Sequence, residues 1–164
     1  MPTDSPAALI TTYYQTISNR NFDQTLALYD PSSQPLPPTE AEKYAKNFQH
    51  LKSVSLHQIL GVQTKQDLAH AVVIFAYEDQ MIPQKQYQIT QFDLVKQDQG
   101  WRIVSPETLP EEKRNTLIEL WTLQKKAMNE NEELRKQIEW VQEQNELAVG
   151  SLPAIPVQVV KVSD

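Results

Sequence analysis

Near residue 53 the hydrophobic period of this chain changes from almost four to two, and that change limits the fold more than any other feature. Val54, Leu56, Gln58 and Leu60 alternate with Ser53, Ser55, His57 and Ile59, the pattern of a strand with two unlike faces. Residues 69–78, AHAVVIFAYE, are rich in β-branched and aromatic side chains and read as a second strand. Residues 86–95, QYQITQFDLV, read as a third. Asp98-Gln99-Gly100 makes a hairpin turn, with Gly100 suited to the left-handed position, and WRIVS, residues 101–105, is the return strand. A helical period precedes this meander. Leu9, Ile10, Tyr13, Tyr14 and Ile17 form one helical face behind Ser5 as N-cap and Pro6 in the first turn. Phe22, Leu26 and Tyr29 mark a short second helix. Thr39 with Glu42 makes a capping box for a third, anchored by Tyr44 and Phe48. Between the last two, PSSQPLPP (31–38) contains four prolines and cannot be regular helix. Three helices followed by about four antiparallel strands predict an α+β fold.

After residue 108 the helical period returns for roughly 40 residues. Thr108 as cap, Pro110 in the first turn and Glu111 predict its start; Gly150 and Pro153 predict its end. With Leu117 at heptad position a, the a positions are Leu117, Gln124, Asn131, Ile138 and Asn145. The d positions are Leu120, Ala127, Leu134, Val141 and Ala148. This is a coiled-coil pattern with polar residues in the seam, and Asn at a is a register device in parallel dimers. Glu130 at g and Arg135 at e would meet across such a dimer. Leu117, Leu120, Trp121, Leu123 and Met128, with Ile118, make the first third broader than a two-stranded seam needs, which predicts docking on a globular domain. A continuous helix of this length would run about 60 Å, beyond what a domain of a hundred residues covers. The distal half is therefore expected to project or to pair, with Trp140 exposed.

The patches TTYYQTISNRNFDQTLALYD and FDLVKQDQGWRIVSPE resemble the opening helix pair and the last hairpin of the nuclear transport factor 2-like superfamily, which includes SnoaL-like polyketide cyclases and ketosteroid isomerases. The resemblance spans residues 5–106 and implies a curved antiparallel sheet wrapped around three helices into a cone whose open end holds a ligand. It also implies an Asp, often with a His or Tyr, in the cone. The residues here that could fill those roles are Tyr14, Tyr29, His57, Tyr77, Glu78, Tyr87 and Asp93. Asp93 sits between Phe92 and Leu94, and a carboxylate buried among aromatics could act as a base. Strand alternation instead places Asp93 on the face opposite the core, and His57 shares the parity of Ser53 and Ser55.

The expected organisation is a cone domain (1–107), a long amphipathic helix (108–149) and a Pro-containing tail (150–164), whose residues Val157–Val162 suit a strand added to a sheet edge. Ala148 to Leu152 also resembles the C-terminal cargo-loading peptides of encapsulin shells. A net charge of −6 and a pI near 5.1 argue against a dedicated nucleic-acid binder. With no cysteine there is no disulfide or thiolate chemistry. His50, His57 and His70 have no metal-ligand spacing, so neither metal nor cofactor is expected. No secretory signal and no stretch near the roughly 20 apolar residues of a membrane span is apparent, which predicts a cytoplasmic protein. The leading functional expectation is a non-catalytic interaction module. It would be a homodimer that binds a protein partner through its C-terminal helix or tail, with Leu117, Leu120, Trp121, Asn131, Leu134, Ile138, Trp140 and Val141 as contact residues. The alternative is a small-molecule-binding protein or a cyclase- or isomerase-type enzyme using the cone. An open cavity with a carboxylate would favour the latter, and a cone plugged by Tyr and Phe the former.

Overall fold

The structure is a computed structural model that describes residues 2–33, 42, 45, 46 and 48–150, with backbone alone at Val149 and Gly150. Helix α1 (Pro6–Ser18) starts as the sequence predicts. Ser5 is extended, and its hydroxyl accepts the Ala8 N–H at 3.1 Å. Helix α2 (Phe22–Leu26) is capped by Asn21. Glu42, Ala45, Lys46 and Phe48 are helical, in keeping with the predicted third helix. The capping residue Thr39 and the anchor Tyr44 lie outside the described residues, as do the tail strand at 157–162 and most of the cargo-peptide-like stretch.

Strands β1 (Leu51–Lys65), β2 (Leu68–Asp79), β3 (Gln86–Gln97) and β4 (Gly100–Ile103) form one antiparallel sheet in sequence order. The β1–β2 hairpin turns at Gln66-Asp67, with Gln66 at φ 55°. The β3–β4 hairpin turns as predicted, with Gly100 at φ 118°. The register of β1 on β2 shifts at three places, between Leu51 and Ser53, Leu56 and Gln58, and Ile59 and Gly61. Each such irregularity adds local twist and bend, and together they curl the sheet around α1. On the concave face Leu9, Ile10, Tyr13, Tyr14 and Ile17 of α1 pack on Ala69, Ala71, Val73, Phe92, Leu94 and Trp101. Trp101 is buried, and its backbone N–H donates to the Thr3 carbonyl at 2.8 Å.

The helical C-terminal stretch is present, and it comes in two halves. Helix α3 (Glu111–Glu130) and helix α4 (Glu132–Gly150) are separated at Asn131, whose backbone leaves the helical region at φ −96° and ψ 112°. Its side-chain oxygen accepts the Leu134 N–H at 3.2 Å, the bond of an N-cap. The expected seam through residue 131 is therefore interrupted. The predicted start also shifts. Pro106–Thr108 is a 3₁₀ turn, the Thr108 hydroxyl donates to the Ser105 carbonyl at 2.8 Å, and Pro110 occupies the N-cap position without a side-chain cap.

Both halves lie against the convex face of the sheet. Met128 and Val141 pack with Leu60, Val72, Ile74 and Ile89, with Trp121, Leu134 and Ile138 alongside. Leu117 and Leu120 pack with Leu68, Val95 and Val104. The expected projection of the distal half is thus corrected: the apolar stripe is real, and the surface it covers is the chain's own sheet. The break at Asn131 lets about 40 residues fold back as two shorter rods. It also explains why β2 is apolar on both faces, since odd residues 69–73 meet α1 while Val72 and Ile74 meet the C-terminal helices. No helix among the described residues is long and apolar enough to cross a membrane.

Candidate functional site

Two polar residues of the helical stripe, Gln124 and Asn145, each meet a backbone or side-chain need of the sheet. Gln124 is buried and its Oε1 accepts from Gln63 Nε2 at 3.1 Å. It enters over Gly61, where an added Cβ would lie 2.0 Å from the Gln124 amide. Asn145 is buried and its Oδ1 accepts the Tyr87 N–H at 3.0 Å. That amide belongs to the part of β3 that β4 does not reach, because β4 pairs only with Leu94–Gln97.

The short β4 shapes the site. After Ile103 the chain is tied once more to β3, by Val104 N–H to the Asp93 carbonyl at 2.9 Å, and then turns away. An open β3 edge from Gln88 to Asp93 results, and a cleft of about 420 Å³ opens on its concave side. Tyr13, Tyr14, Tyr29, Phe48, Phe75 and Phe92 form its aromatic wall. Gln88, Thr90, Gln91 and Ser105 supply amides and hydroxyls. The floor is packed ring on ring: Tyr13 meets Tyr14 edge-on at 5.1 Å and Phe92 at 5.3 Å, and Tyr14 stacks on Phe75 at 5.6 Å. The cone is thus filled by aromatics at its base and open at its edge.

The sequence-predicted residues separate by face. Tyr14 and Tyr29 line the cleft, and Asp93 belongs to its lining at the β3 edge. Tyr77 lies at a neighbouring hollow with Phe48, Phe75 and Gln86. Its hydroxyl donates to Gln86 Oε1 at 3.4 Å. Burial pushes the Tyr77 phenol above its ordinary value, and the Asp79 carboxylate adds to the shift. His57 and Tyr87 are not in the cone. They lie on the convex face under α4, where Trp140 stacks on His57 at 5.1 Å and meets Tyr87 at 4.5 Å. Trp140 is therefore half-buried, not the exposed aromatic that a projecting helix would carry. Glu78 lines neither the cleft nor the hollow.

Asp93 takes the convex parity expected from alternation, yet it is not simply solvated. His70 lies opposite it in the β2–β3 register, and His70 Nδ1 sits 2.7 Å from Asp93 Oδ1. A carboxylate oxygen accepts, so Nδ1 donates. His70 is buried beside Trp121, with ring centroids 5.0 Å apart. Its Nε2 is enclosed and without a partner among the described residues. Sequence reasoning weighed His70 only as a metal ligand and missed this pairing. The signal was the hairpin register: with β2 and β3 antiparallel, positions 70 and 93 face each other on one side of the sheet. Among the described residues no group of three or more His, Cys, Asp or Glu side chains could hold a metal ion.

No protein-family model and no curated protein matches this sequence. Solved structures do resemble it. A SEC-C motif-containing protein from Rhodopseudomonas palustris matches with TM-score 0.50 and 16% identity, covering 62% of this chain and 76% of that one. A calcium/calmodulin-dependent protein kinase type II association domain from Thiobacillus denitrificans matches with TM-score 0.51 and 14% identity, covering 63% of this chain and 94% of that one. At such identities the likeness is one of architecture. The helices inside, the curled antiparallel meander and these neighbours together place the chain in the nuclear transport factor 2-like fold.

Proposed function

We propose that the protein binds a small molecule in the cleft at the open edge of β3. The observation that carries this reading is the cleft itself. At about 420 Å³ it lies in the range of ligand sites, roughly 300–1,000 Å³, and it has their make-up: aromatic walls with a few converging polar groups. The polar groups of the wall are the amides and hydroxyls of Gln88, Thr90, Gln91 and Ser105, which orient a ligand by hydrogen bonds, with Asp93 and Glu107 also in the lining. The ligand class that fits is a planar, largely apolar molecule with hydrogen-bonding groups at one end. The test is a thermal-shift screen of such compounds on the wild type and on Thr90→Trp, which fills the cleft from its wall. Compounds that stabilise the wild type and not the variant support the reading. Compounds that stabilise both equally, or none at all across polyketide-, steroid- and flavonoid-like sets, overturn it.

A protein-interaction role has separate support, on a different surface from the heptad seam. Leu123 on α3 and Leu147 on α4 are 46% and 61% exposed, and the reading is that a second copy of the chain covers them. Sedimentation of the wild type beside Leu123→Gln/Leu147→Gln decides it. A dimer that the double substitution dissociates supports the reading, and a wild-type monomer at high concentration removes it.

A further inference from the structure

A second cavity, of about 270 Å³, lies on the convex side of the same strand edge, between β3 and α3. The His70–Asp93 pair forms part of its wall. The imidazole side chain is 4% exposed and the carboxylate 24%, so a buried group fixes the orientation of a carboxylate that solvent still reaches. One Asp93 oxygen is engaged by His70, which leaves the other for a ligand. Helix α3 supplies an apolar wall of Leu117, Ile118 and Trp121. Ile118 is 62% exposed, an apolar side chain that the fold itself leaves uncovered. Glu107 and Arg114 complete the lining. Both are exposed, and neither side chain has an ion-pair or hydrogen-bond partner among the described residues.

Two carboxylates, one guanidinium and an indole wall in one small cavity select by charge pattern. A simple anion meets Asp93 and Glu107 and is repelled. A simple amine is attracted but leaves Arg114 unused. A zwitterion with an apolar body satisfies all three. The volume is just under the usual range for drug-sized ligands, so the molecule is compact. We propose that this cavity binds a free α-amino acid with a large apolar or aromatic side chain. Its ammonium group bonds Asp93 and Glu107, its carboxylate pairs with Arg114, and its side chain lies against Trp121, Leu117 and Ile118. The two cavities share Gln91, Asp93, Pro106 and Glu107 at the sheet edge and differ in their other walls, with Arg114, Leu117, Ile118 and Trp121 lining only this one and Thr90 lining only the cone cleft.

The test is titration calorimetry on the full chain with L-phenylalanine and L-leucine. Alongside run 3-phenylpropionate, which lacks the amine, and 2-phenylethylamine, which lacks the carboxylate. The amino acids should bind, and each incomplete analogue should bind about tenfold more weakly or worse, the loss for one missing charge-assisted hydrogen bond. Arg114→Gln and Asp93→Asn should each weaken L-phenylalanine by a similar factor. Arg114 is exposed, so Arg114→Gln keeps the wild-type melting temperature and stays informative even if Asp93→Asn misfolds. Thr90→Trp, on the cone side, should leave L-phenylalanine binding unchanged. No heat from either amino acid at millimolar concentration overturns the proposal. So does equal binding by Arg114→Gln, or binding abolished by Thr90→Trp alone.

Discussion

Single residues decide where this chain departs from what its alternation announces. Gly61 reads in sequence as an unremarked glycine inside a strand. In the fold it is the gap through which buried Gln124 reaches Gln63, a need set by a helix more than fifty residues away and so invisible locally. Asp93 was legible as a convex-face residue from the parity of Phe92 and Leu94, while its partner His70 required the β2–β3 register as well. His57 and Tyr87 are cone candidates by the resemblance and their residue type, the parity of His57 with Ser53 and Ser55 points away from the core, and in the fold both lie under Trp140. Tyr77 yields a prediction at this scale. Its folded-state phenol is raised above the ordinary value of about 10 by burial and then by Asp79. The folded state therefore holds this proton more tightly than the unfolded state. The associated stability is fully present below about pH 10 and is lost as pH rises through the folded value. Tyr77→Phe cannot ionise, so its unfolding free energy should fall less steeply than the wild type's above about pH 10. Denaturant titrations at pH 8 and pH 11 measure this, and equal slopes for both proteins would show that Tyr77 does not contribute.

At the scale of elements, the helices and strands were readable because their caps and periods are local. Ser5 before Pro6 and Gly100 after Asp98-Gln99 act within a turn of where they stand. What periodicity does not carry is the identity of the surface that an apolar stripe meets. The heptad register from Leu117 picks out Leu117, Leu120, Gln124, Val141 and Asn145, all buried, and each of them meets the chain's own sheet. The stripe even records the fold-back: it slips from Ala127, which is exposed, to Met128, which is buried, just before the break. Asn131, a register device in a dimer seam, is here the capping residue that starts α4. Asn131→Ala removes the cap and favours a continuous helix, which would pull α4 off the sheet. The expected loss is about 1 kcal/mol, the usual cost of an N-cap, with Asn131→Asp close to wild type because it can cap in the same way. Urea unfolding of the three proteins checks this. If Asn131→Ala were as stable as the wild type and more strongly self-associated, the register-device reading of this residue would return.

For the whole molecule, the decisive question is whether the cone stands without its C-terminal helices. Seen from the sequence, residues 1–107 form a domain and the helix an appendage, so cutting before the helix should remove partners and spare the fold. The packing points the other way. Leu60, Leu68, Val72, Ile74, Ile89 and Val95 are buried against α3 and α4. Returning such side chains to water costs about 1.5–3 kcal/mol each, and the total stability of a domain is about 5–15 kcal/mol. The Tyr87 N–H would also lose Asn145, and Gln63 would lose Gln124. A chain ending at Leu109 should therefore lose its cooperative thermal transition, bind a hydrophobic dye and self-associate through the bared convex face. A milder change, Leu134→Asp with Ile138→Asp in the intact chain, tests the same packing. Both residues are partly buried against the cluster beneath α4. The double substitution should lower the melting temperature of the whole protein at any concentration, because it loosens a face of the monomer. Circular dichroism melts at two protein concentrations, with size-exclusion chromatography, separate the outcomes. A truncated chain that melts cooperatively as a monomer, or a double mutant whose only change is dissociation of a dimer, would return the C-terminal helices to the role of an appendage that pairs between chains.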